Sequence, residues 1–531
     1  MTGSGVLEYK RLRAPRHHGG VLIEPPIAAC EQSLSHNLAG TNEYDWQGIG
    51  TADLVALARQ ELAAASADYA AENDISFEWD ESSPIVAVGH QPELYHPGVW
   101  FKNFVLNHLG ANLSANTVNV LIDNDLLRET SIRVPVVSKP VHLQTIPLDE
   151  PDVEPIPYEC RGVTDLSLFE SFGERVQEAT TGWCNDPIVA HMWPKAVESL
   201  RRHSNLGRAL ASGRHAAERE LGLRHAEVPL STLCSGRAFS RFVCHLLANA
   251  PRLWDVHNAA LADYRAVNRV RSRTHPVPDL SAEDQWLEMP FWILSSESPV
   301  RRPLYVRAAG AGLELSDLHG SSTTLDLTAD GEIEGAIDQL LAAHRSVQIR
   351  PRALVTTMYL RLILSDLFIH GIGGAKYDEL TDEIVRRFFG LEATDFVVAT
   401  ATTHLPLQPA NVSEDDRRDV LLQLRQLDFQ PERFTTEFNA DAQPWLQQKA
   451  EWLAKDLPIG SRRERHLKIV EANESLQLWL SQKRIQLNER RQQIEQALRE
   501  STLLTSREYS FCVFPFETLS GLLLELLREG T

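Results

Sequence analysis

The spacing of apolar residues changes from a helical period to a continuous run in the first part of the chain. Residues 51–73 (TADLVALARQELAAASADYAAEN) carry apolar side chains at helical spacing among strong helix formers, which predicts a helix capped by Thr51 or Asp53. The run PIVAVG at 84–89 is continuously apolar, which predicts a short strand buried on both faces of a parallel sheet.

The pattern that follows predicts a helix and a second strand. Residues 98–110 (GVWFKNFVLNHLG) predict a helix, with Pro97 in its first turn and Gly110 at its C-terminal end. Residues 117–125 (TVNVLIDND) are rich in β-branched side chains and predict a strand that ends in acids. A strand, a helix and a strand within about 40 residues form a βαβ unit, the building block of a doubly wound sheet.

A long middle segment interrupts this pattern, and its later strands suggest an antiparallel addition. The predicted pieces are extended at 132–148, helical at 214–223 and 236–270, and strand-like at 286–294 and 303–317. The apolar pattern of a core returns at 350–390, where a long apolar segment meets a glycine-rich bend and a helix that ends at Gly390. Residues 395–402 (DFVVATAT) then predict a further strand.

The last quarter of the chain has a helical texture. Leu480, Leu487 and Ile494 recur at seven-residue spacing, which predicts an antiparallel helical hairpin or a short coiled coil with 443–457 as its other arm. The tail at 507–527 is apolar enough to pack back on the body of the protein.

The predicted fold class is therefore α/β: a Rossmann-like doubly wound parallel sheet with insertions and a C-terminal α-helical coiled-coil hairpin. The predicted organisation is a helical lead-in at 1–80, a core at 81–410 with insertions at about 126–343, a helical coiled-coil region at 411–510 and a packing segment at 511–531.

Composition changes this picture mainly by exclusion. The chain has 531 residues and a formal net charge of −20, which argues against nucleic acid as the main partner because general nucleic-acid binders are usually basic. No apolar segment follows the basic N-terminus and no run reaches about 20 apolar residues, so the prediction is a cytoplasmic protein without a signal peptide or membrane span. None of the six cysteines stands in a Cys-x-x-Cys pair, and no metal ligands are predicted.

Polar residues and glycines collect at the bend after the strand at 84–89. Such a bend lies at the carboxyl edge of the sheet, and the helix N-terminus that follows suits phosphate or carboxylate. The residues predicted to bind an anionic group or to let the backbone approach it are His90, Gln91, His96, Lys102, Gly89 and Gly98. The alternative is that His90 and Gln91 cap a tight turn. Neither G-x-G-x-x-G nor G-x-x-x-x-G-K-[ST] is present.

Two further clusters lie in similar bends. Asp123, Asn124 and Asp125 end the second strand and are predicted to orient an amine, to hold Mg²⁺ or to act as a base; the alternative is that the acids cap a following helix. The stretch HGIGGAKYDE at 370–379 predicts an anion cradle, or alternatively a glycine turn that needs positive φ. The residues assigned to this third cluster and to a bidentate carboxylate contact upstream of it are Gly371, Gly373, Lys376, Arg350 and Arg352.

In order and rough spacing, the three clusters resemble the motifs of the bacillithiol biosynthesis cysteine-adding enzymes, a family of cysteine ligases. The first motif of that family, Gly-Gln-Gln with a following Leu, a Gly-Pro step and a helical Lys, is matched by Gly89, His90, Gln91, Leu94, Pro97, Gly98 and Lys102. The second, Glu-Asp-His-Asp at a strand end, is matched by Asp123, Asn124 and Asp125, followed by Glu129. The third, a Gly-x-Gly bend with a nearby tyrosine, is matched by Gly371, Gly373 and Tyr377.

The chain departs from these motifs at several positions. His90 replaces the first glutamine, Glu93 replaces the glycine before the leucine, the Gly-Pro step is reversed and the bend is shorter. Asn124 replaces the histidine of the second motif, which removes a titratable group from the implied site.

The resemblance implies a Rossmann-type core related in shape to class I aminoacyl-tRNA synthetases, and a carbon–nitrogen ligase. That enzyme would join an amino acid, cysteine in the family, to an amino-sugar-like or other small amine, as in the last step of bacillithiol-type thiol biosynthesis. His90 and Gln91 would contact the activating phosphate or the carboxylate, with Lys102 as the countercharge. Asp123 and Asp125 would orient or deprotonate the amine. The opposite wall would comprise Gly371, Gly373, Lys376 and Tyr377.

The implied cofactor is ATP or another adenine nucleotide, with Mg²⁺ as a candidate ion. The implied partners are small-molecule substrates and a second copy of the chain joined through the helical region, with no nucleic acid and no membrane. Two alternatives stay open: a nucleotidyl transferase related to class I synthetases, and a non-catalytic ligand-binding or assembly protein. The absence of a Lys-Met-Ser-Lys-Ser-like loop counts against the transferase.

Overall fold

A computed structural model describes residues 12–40, 43–152, 154–272, 277–295, 298–310, 312–328, 331, 333–456 and 462–529. Parts of all four predicted segments, 1–80, 81–410, 411–510 and 511–531, therefore lie outside the described residues. The chain divides into two compact units. The first comprises Met1–Val134, Gln144–Thr403 and Arg507–Thr531, and the second comprises Pro135–Leu143 and His404–Ser506.

The described residues of the two units form strands β1 to β14 and α-helices α1 to α17. The strands are β1 (Gly20–Glu24), β2 (Ile85–His90), β3 (Asn116–Leu121), β4 (Ser131–Val136), β5 (His142–Pro147), β6 (Ala226–Pro229), β7 (Ala282–Glu283), β8 (Trp286–Ser295), β9 (Ser298–Ala309), β10 (Gly312–Ser316), β11 (Ser322–Leu325), β12 (Val347–Pro351), β13 (Leu367–His370) and β14 (Phe396–Thr402). The helices are α1 (Ile27–Ala39), α2 (Thr51–Glu72), α3 (Pro97–Leu113), α4 (Leu166–Glu170), α5 (Phe172–Thr180), α6 (Ile188–His203), α7 (Leu206–Glu220), α8 (Leu230–Leu233), α9 (Arg237–Ala248), α10 (Ala250–Asn268), α11 (Glu334–Ala343), α12 (Ala353–Tyr359), α13 (Ile372–Phe389), α14 (Glu414–Phe429), α15 (Gln443–Ala454), α16 (Arg462–Leu504) and α17 (Phe516–Glu529).

The main sheet is mixed but largely parallel. Strands β14, β13, β2, β3 and β6 lie side by side in this order and pair in parallel, and β1 adds to β14 in the antiparallel sense. The chain moves outward from β2 through β3 to β6, and later continues on the other side of β2 with β13 and β14. The strand order therefore reverses between β2 and β13, and the strands predicted from the apolar runs at 84–89, 117–125 and 395–402 are confirmed.

Helix α3 shows how the sequence sets the ends of an element. Pro97 occupies its first position as predicted, and the side chain of His96 caps it by accepting the N–H of Gly98 at 3.1 Å. The helix does not stop at Gly110, as the sequence predicted, but at Ser114, which adopts a left-handed conformation with φ of 50°. Gly110 is required for another reason: a Cβ there would collide with the side chain of Thr117 on β3.

The middle of the chain contributes a second, antiparallel sheet. Its strand order is β11-β10-β9-β8-β12, with β7 paired to β8, which confirms the predicted antiparallel addition. Apolar side chains of β8, such as Met289 and Phe291, share one buried core with α9 and α12. Strands β4 and β5 pair as a separate two-stranded ribbon.

The second unit is mainly helical. Leu480, Leu487 and Ile494 of α16 are buried, as the seven-residue spacing predicts, but they pack against Val420 and Leu427 of α14. The predicted arm, α15, also contacts α16, so the sequence identified one of the two partner helices and missed α14.

The C-terminal tail belongs to the first unit, where Phe511 and Val513 are buried and α17 contacts α3. Among the described helices, each is too short or too polar to cross a membrane.

Candidate functional site

Two helices begin at the carboxyl edge of the main sheet, where the strand order reverses. Helix α3 follows β2, and α13 follows β13 after the single residue Gly371. A cavity of about 420 Å³ lies at their N-termini. We call it the basic pocket, and its polar lining consists of Arg13, Arg16, His96, Lys102, Lys376, Arg507 and Thr400.

The electrostatics of the basic pocket favour an anion. Its described lining holds five lysine or arginine side chains and no carboxylate. Two helix N-termini add partial positive charge and unpaired N–H groups. In open α/β sheets, ligands bind outside the carboxyl ends of the strands at the point where the strand order reverses. This pocket therefore has both the position and the charge of an anion site.

Lys102 is the unusual member of this pocket. Its side chain is buried, its Nζ lies 3.3 Å from Nδ1 of His90, and no described carboxylate lies within ion-pair distance of it. Burial alone lowers the pKa of Lys102 to about 7. Burial and the charge of Lys102 also hold the pKa of His90 well below its usual range, so its ring is neutral. Nε2 of His90 is buried and has no hydrogen-bond partner among the described residues.

The glycines at this edge have different structural roles. A Cβ on Gly98 would collide with the carbonyl oxygen of Ala401, so this glycine allows α3 to start close to β14. Gly371 and Gly373 line the pocket, yet neither has positive φ, so the alternative of a left-handed glycine turn is wrong. A Cβ on Gly89 would lie 3.2 Å from Cδ1 of Ile122, which places this glycine in sheet packing.

A second cavity of about 280 Å³ lies at the same edge, beyond β3 and β6. We call it the carboxylate cleft, and its polar lining consists of Asp123, Glu159, Asn205, Arg208, Ser231, Thr232, Ser235 and Arg350. Asp123 accepts the backbone N–H of Ser231 at 2.9 Å and also its hydroxyl. Burial, followed by the nearby charge of Glu159, raises the pKa of Asp123 to about 7. This carboxyl group can gain or lose a proton near neutral pH.

Arg350 was predicted to hold a substrate carboxylate. It is fully buried and forms a fork with Glu159, with Nε to Oε1 at 3.0 Å and Nη2 to Oε2 at 2.8 Å. Although burial opposes the charge, Glu159 raises the pKa of Arg350 above its usual value. The carboxylate it binds is therefore the protein's own.

Asp125 and its neighbours make a third set of contacts. Asp125 accepts hydrogen bonds from Nε2 of Gln91 at 2.9 Å and from Nη2 of Arg301 at 3.0 Å. Nδ2 of Asn124 donates to the carbonyl of Pro351 at 2.9 Å, and its buried Oδ1 has no hydrogen-bond partner in the part of the chain that the structure describes. The alternative that the acids cap a helix is wrong, because the next element after β3 is strand β4.

Two predicted site residues lie elsewhere. Arg352 donates to Glu288 at 2.7 Å and stacks 4.2 Å from the ring centre of Trp292. Tyr377 packs against the main hydrophobic core, and burial raises its pKa. Lys376, on the same helix, is exposed and lines the basic pocket.

Sequence reasoning missed several lining residues. Arg13 and Arg16 are three residues apart in the basic segment before β1, and this clustering was the available signal. Arg507 reaches the pocket from the far end of the chain, so no local pattern marked it. Ser231, in the short helix α8, and Glu159, in a 3-10 turn, both lie inside the predicted insertion.

Comparison with known proteins identifies no family for this chain. No model of a known protein family matches it, and no curated protein sequence matches it. The chemistry of this edge is therefore inferred from its own residues.

Proposed function

We propose that this protein is a nucleotide-dependent carbon–nitrogen ligase that joins an amino acid to a small amine acceptor. Cysteine and an amino-sugar-like amine are the substrates implied by the resemblance to bacillithiol-type cysteine-adding enzymes. The observation that carries the proposal is the basic pocket at two helix N-termini. The reversal of strand order between β2 and β13 supports a Rossmann-like, doubly wound core around it.

The pocket fits the phosphates of ATP or another adenine nucleotide. Forming an amide from a free carboxylate requires activation, and a nucleotide supplies it by turning the carboxylate oxygen into a leaving group. Arg13, Arg16 and Lys376 are exposed side chains that would bind phosphate oxygens. Lys102, with a pKa of about 7, would become fully charged when an anion binds beside it.

The carboxylates of Asp123 and Asp125 are proposed to act on the amine substrate. The amine must lose a proton when its nitrogen bonds to the activated carbon. Asp123, whose pKa is about 7, is the proposed acceptor of that proton. Asp125, held by Gln91 and Arg301, is proposed to orient the amine. Hydrogen-bond donors already occupy both carboxylates, so Mg²⁺ enters the proposal only as a companion of the nucleotide.

The first test is a thermal-shift titration with ATP, cysteine and glucosaminyl malate, singly and together. A ligand at about 100 times its dissociation constant stabilises the fold by about 2.7 kcal/mol, which is readily measured. We expect ATP to stabilise the wild-type chain and the control Lys468→Ala, whose exposed lysine lies on α16. The double variant Arg16→Ala, Lys376→Ala should lose most of this shift.

The outcomes separate the proposal from its alternatives. An amide product that requires ATP and Asp123 supports the ligase. A nucleotidyl product without an amide supports a transferase. Ligand binding that is unchanged in Asp125→Asn, with no product formed, supports a non-catalytic binding protein. The nucleotide proposal is rejected if ATP stabilises the wild type and the double variant equally, or neither.

A further inference from the structure

A third cavity, of about 600 Å³, lies at the opposite, amino edge of the main sheet. It is bordered by Asn116 at the start of β3, by Ala226 at the start of β6 and by the loop at 75–80. His215, His225 and Glu227 form part of its wall. No residue assigned to the basic pocket or to the carboxylate cleft lines it.

Beneath this cavity, four side chains form what we call the histidine–glutamate cluster. His215 and Glu218 are three residues apart on α7 and so share one face of that helix. His225 and Glu227 are two residues apart at the start of β6 and so point to one face of the sheet. All four side chains are buried, with exposed fractions of 3% or less.

The distances within the cluster match those around a metal ion. Nε2 of His225 lies 3.2 Å from Oε2 of Glu218 and 3.8 Å from Oε1 of Glu227, and Nδ1 of His215 lies 3.5 Å from Oε2 of Glu227. One potential donor atom from each of Glu218, His225 and Glu227 lies within 4.8 Å of the others. Ligands about 2.1 Å from a tetrahedral ion are about 3.4 Å apart, so only small side-chain shifts are needed.

Several polar atoms in the cluster lack a hydrogen-bond partner among the described residues. They include both ring nitrogens of His215 and of His225, and Oε2 of Glu227; Nε2 of His225 has its 3.2 Å contact with Glu218 but not the geometry of a hydrogen bond. The two nitrogens of one ring face different directions, so a single nitrogen of His225 and oxygens of Glu218 and Glu227 are the atoms that lie around a common point. Buried polar atoms are nearly always hydrogen-bonded, so a ligand at that point would satisfy atoms that the protein leaves unpartnered.

Neighbouring side chains donate hydrogen bonds to the carboxylates of Glu218 and Glu227, as they do to ligand carboxylates in metal sites. Nε1 of Trp100 and Nδ2 of Asn103 each donate to Oε1 of Glu218 at 2.7 Å. Nδ2 of Asn119 donates to Oε1 of Glu227 at 2.6 Å. Such donors orient ligand carboxylates and tune their basicity.

Arg214 also belongs to the surroundings, since it donates to Oε2 of Glu218 at 2.5 Å and to Oε1 of Glu227. The charge of Arg214 and a proton on His225 balance the two carboxylates when no metal is bound. A divalent ion would displace that proton to solvent, while Arg214 would continue to neutralise one carboxylate.

We propose that three members of the cluster, Glu218, His225 and Glu227, bind one divalent first-row transition-metal ion, such as Zn²⁺ or Fe²⁺, while the ring of His215 stacks on that of His225. Imidazole and carboxylate ligands together suit these ions rather than Ca²⁺ or Mg²⁺, which prefer oxygen ligands. The amino-edge cavity provides the access route for the ion and room for a bound water molecule. This site is independent of the proposed ligase function.

The test is metal content and binding in the full, untagged chain. Protein stripped with a chelator is dialysed against Zn²⁺, and the retained metal is measured by elemental analysis. We expect about one equivalent per chain, as for a single site of this ligand type. Loading with Co²⁺ should give the visible absorption of a low-symmetry site with nitrogen and oxygen ligands.

Variants identify the ligand. His225→Gln should lose most of the bound metal, and His215→Gln, which removes the ring stacked on His225, should keep the site with a weaker metal affinity. The control His257→Gln removes a buried histidine on α10, outside the cluster, and should retain it. Asn119→Ala tests a positioning residue and should weaken metal affinity roughly 10–100-fold without changing the number of sites.

Folding is checked by circular dichroism in chelator for each variant. If His225→Gln fails to fold because Arg214 no longer has enough help in balancing the cluster, Asn119→Ala decides, because it leaves the three ligands in place and should bind Zn²⁺ more weakly than the wild type. The proposal is overturned if the wild type retains no metal. Equal metal content in a folded His225→Gln and the wild type would also overturn it, as would equal Zn²⁺ affinity in Asn119→Ala and the wild type.

Discussion

The basic pocket and the histidine–glutamate cluster lie at opposite edges of one sheet and treat buried charge differently. In the pocket, buried Lys102 contacts the neutral ring of His90, no described carboxylate pairs with it, and exposed arginines add further positive charge. In the cluster, Arg214 contacts Glu218 and Glu227 directly. Burial opposes the charge of Glu218, but Arg214 outweighs it and holds the pKa of that carboxyl well below its usual range.

The difference has consequences for binding. A buried cation without a carboxylate partner destabilises the ligand-free protein. An anionic ligand would supply the missing negative charge, so its binding is favoured. A compensated cluster is satisfied in charge, so a ligand there must exchange for a proton. We therefore expect anions to bind at the carboxyl edge without proton release, and metal ions to bind at the amino edge with it.

The largest expected effect comes from removing the arginine that compensates the two carboxylates of the histidine–glutamate cluster. Arg214→Met leaves two buried carboxylates without their cation, which should lower the free energy of unfolding by about 3–5 kcal/mol. Urea unfolding monitored by circular dichroism measures this change.

The matched control is Arg202→Met, which removes an exposed arginine paired with Asp74 at 3.0 Å. Exposed ion pairs contribute about 0–1 kcal/mol, so this variant should unfold close to the wild type. Similar losses in the two variants would mean that Arg214 compensates nothing.

Lys102 in the basic pocket has no carboxylate partner among the described residues, so its effect on stability should depend on pH. Lys102 has a pKa of about 7 in the folded chain, below its ordinary value of about 10.4. Between these values the unfolded chain binds more protons, so stability rises with pH. From pH 7 to pH 9 the wild type should gain about 2 kcal/mol relative to Lys102→Met, measured by denaturant unfolding at each pH.

Lys449 provides a comparison for the loss of a buried lysine. It donates to the carbonyl of Phe429 at 3.0 Å and pairs with Glu432. Lys449→Met should destabilise its helical unit because it removes both contacts. A flat difference between the wild type and Lys102→Met would mean that Lys102 stays charged when buried.

The sequence predicted the basic pocket better than the cluster because the two have different local signals. His96 and Lys102 follow an apolar strand, and Gly371 and Gly373 mark a second bend, so a general rule about sheet edges brings them together. Arg507 was not predicted because it lies near the C-terminal end of the chain, and contacts across long sequence separations leave no local pattern.

The histidine–glutamate cluster was missed although its spacing was visible. His215 and Glu218 fit one helical face, and His225 and Glu227 fit one strand face. The predicted helix at 214–223 was confirmed, but the strand at β6 was not recognised because it has only four residues. Without that strand, the two pairs could not be placed together.

The ends of elements were also decided by tertiary contacts. Gly110 resembled a helix stop, yet α3 continues to Leu113 because the glycine only provides space beside Thr117. The two partners of α16 could not be ranked from the spacing of Leu480 and Leu487, since α14 is polar along most of its length.

A smaller effect should come from Asp123, whose proton balance is the reverse of that of Lys102. Its folded pKa of about 7 exceeds the ordinary value of about 3.9, so the folded chain binds more protons between them and stability falls as pH rises. Between pH 6 and pH 7 the wild type should lose about 1 kcal/mol relative to Asp123→Asn. Unfolding of both proteins at the two pH values checks this; a constant difference would show that Asp123 is already ionised.

The smallest expected effect comes from two glycine-to-alanine variants, which distinguish a loss of space for the ligand in the basic pocket from a change in helix stability. Gly373 on α13 and Gly521 on α17 both have open space where a Cβ would lie, but only Gly373 lines the pocket. Replacing either by alanine should stabilise the chain by about 0.5–1 kcal/mol, because glycine is a poor helix former. Only Gly373→Ala should also weaken binding of pyrophosphate, measured by calorimetry, because its methyl group occupies space at the N-terminus of α13 where the anion must approach. If both variants bind pyrophosphate as the wild type does, the anion does not approach this helix N-terminus, and the arginines alone define the site.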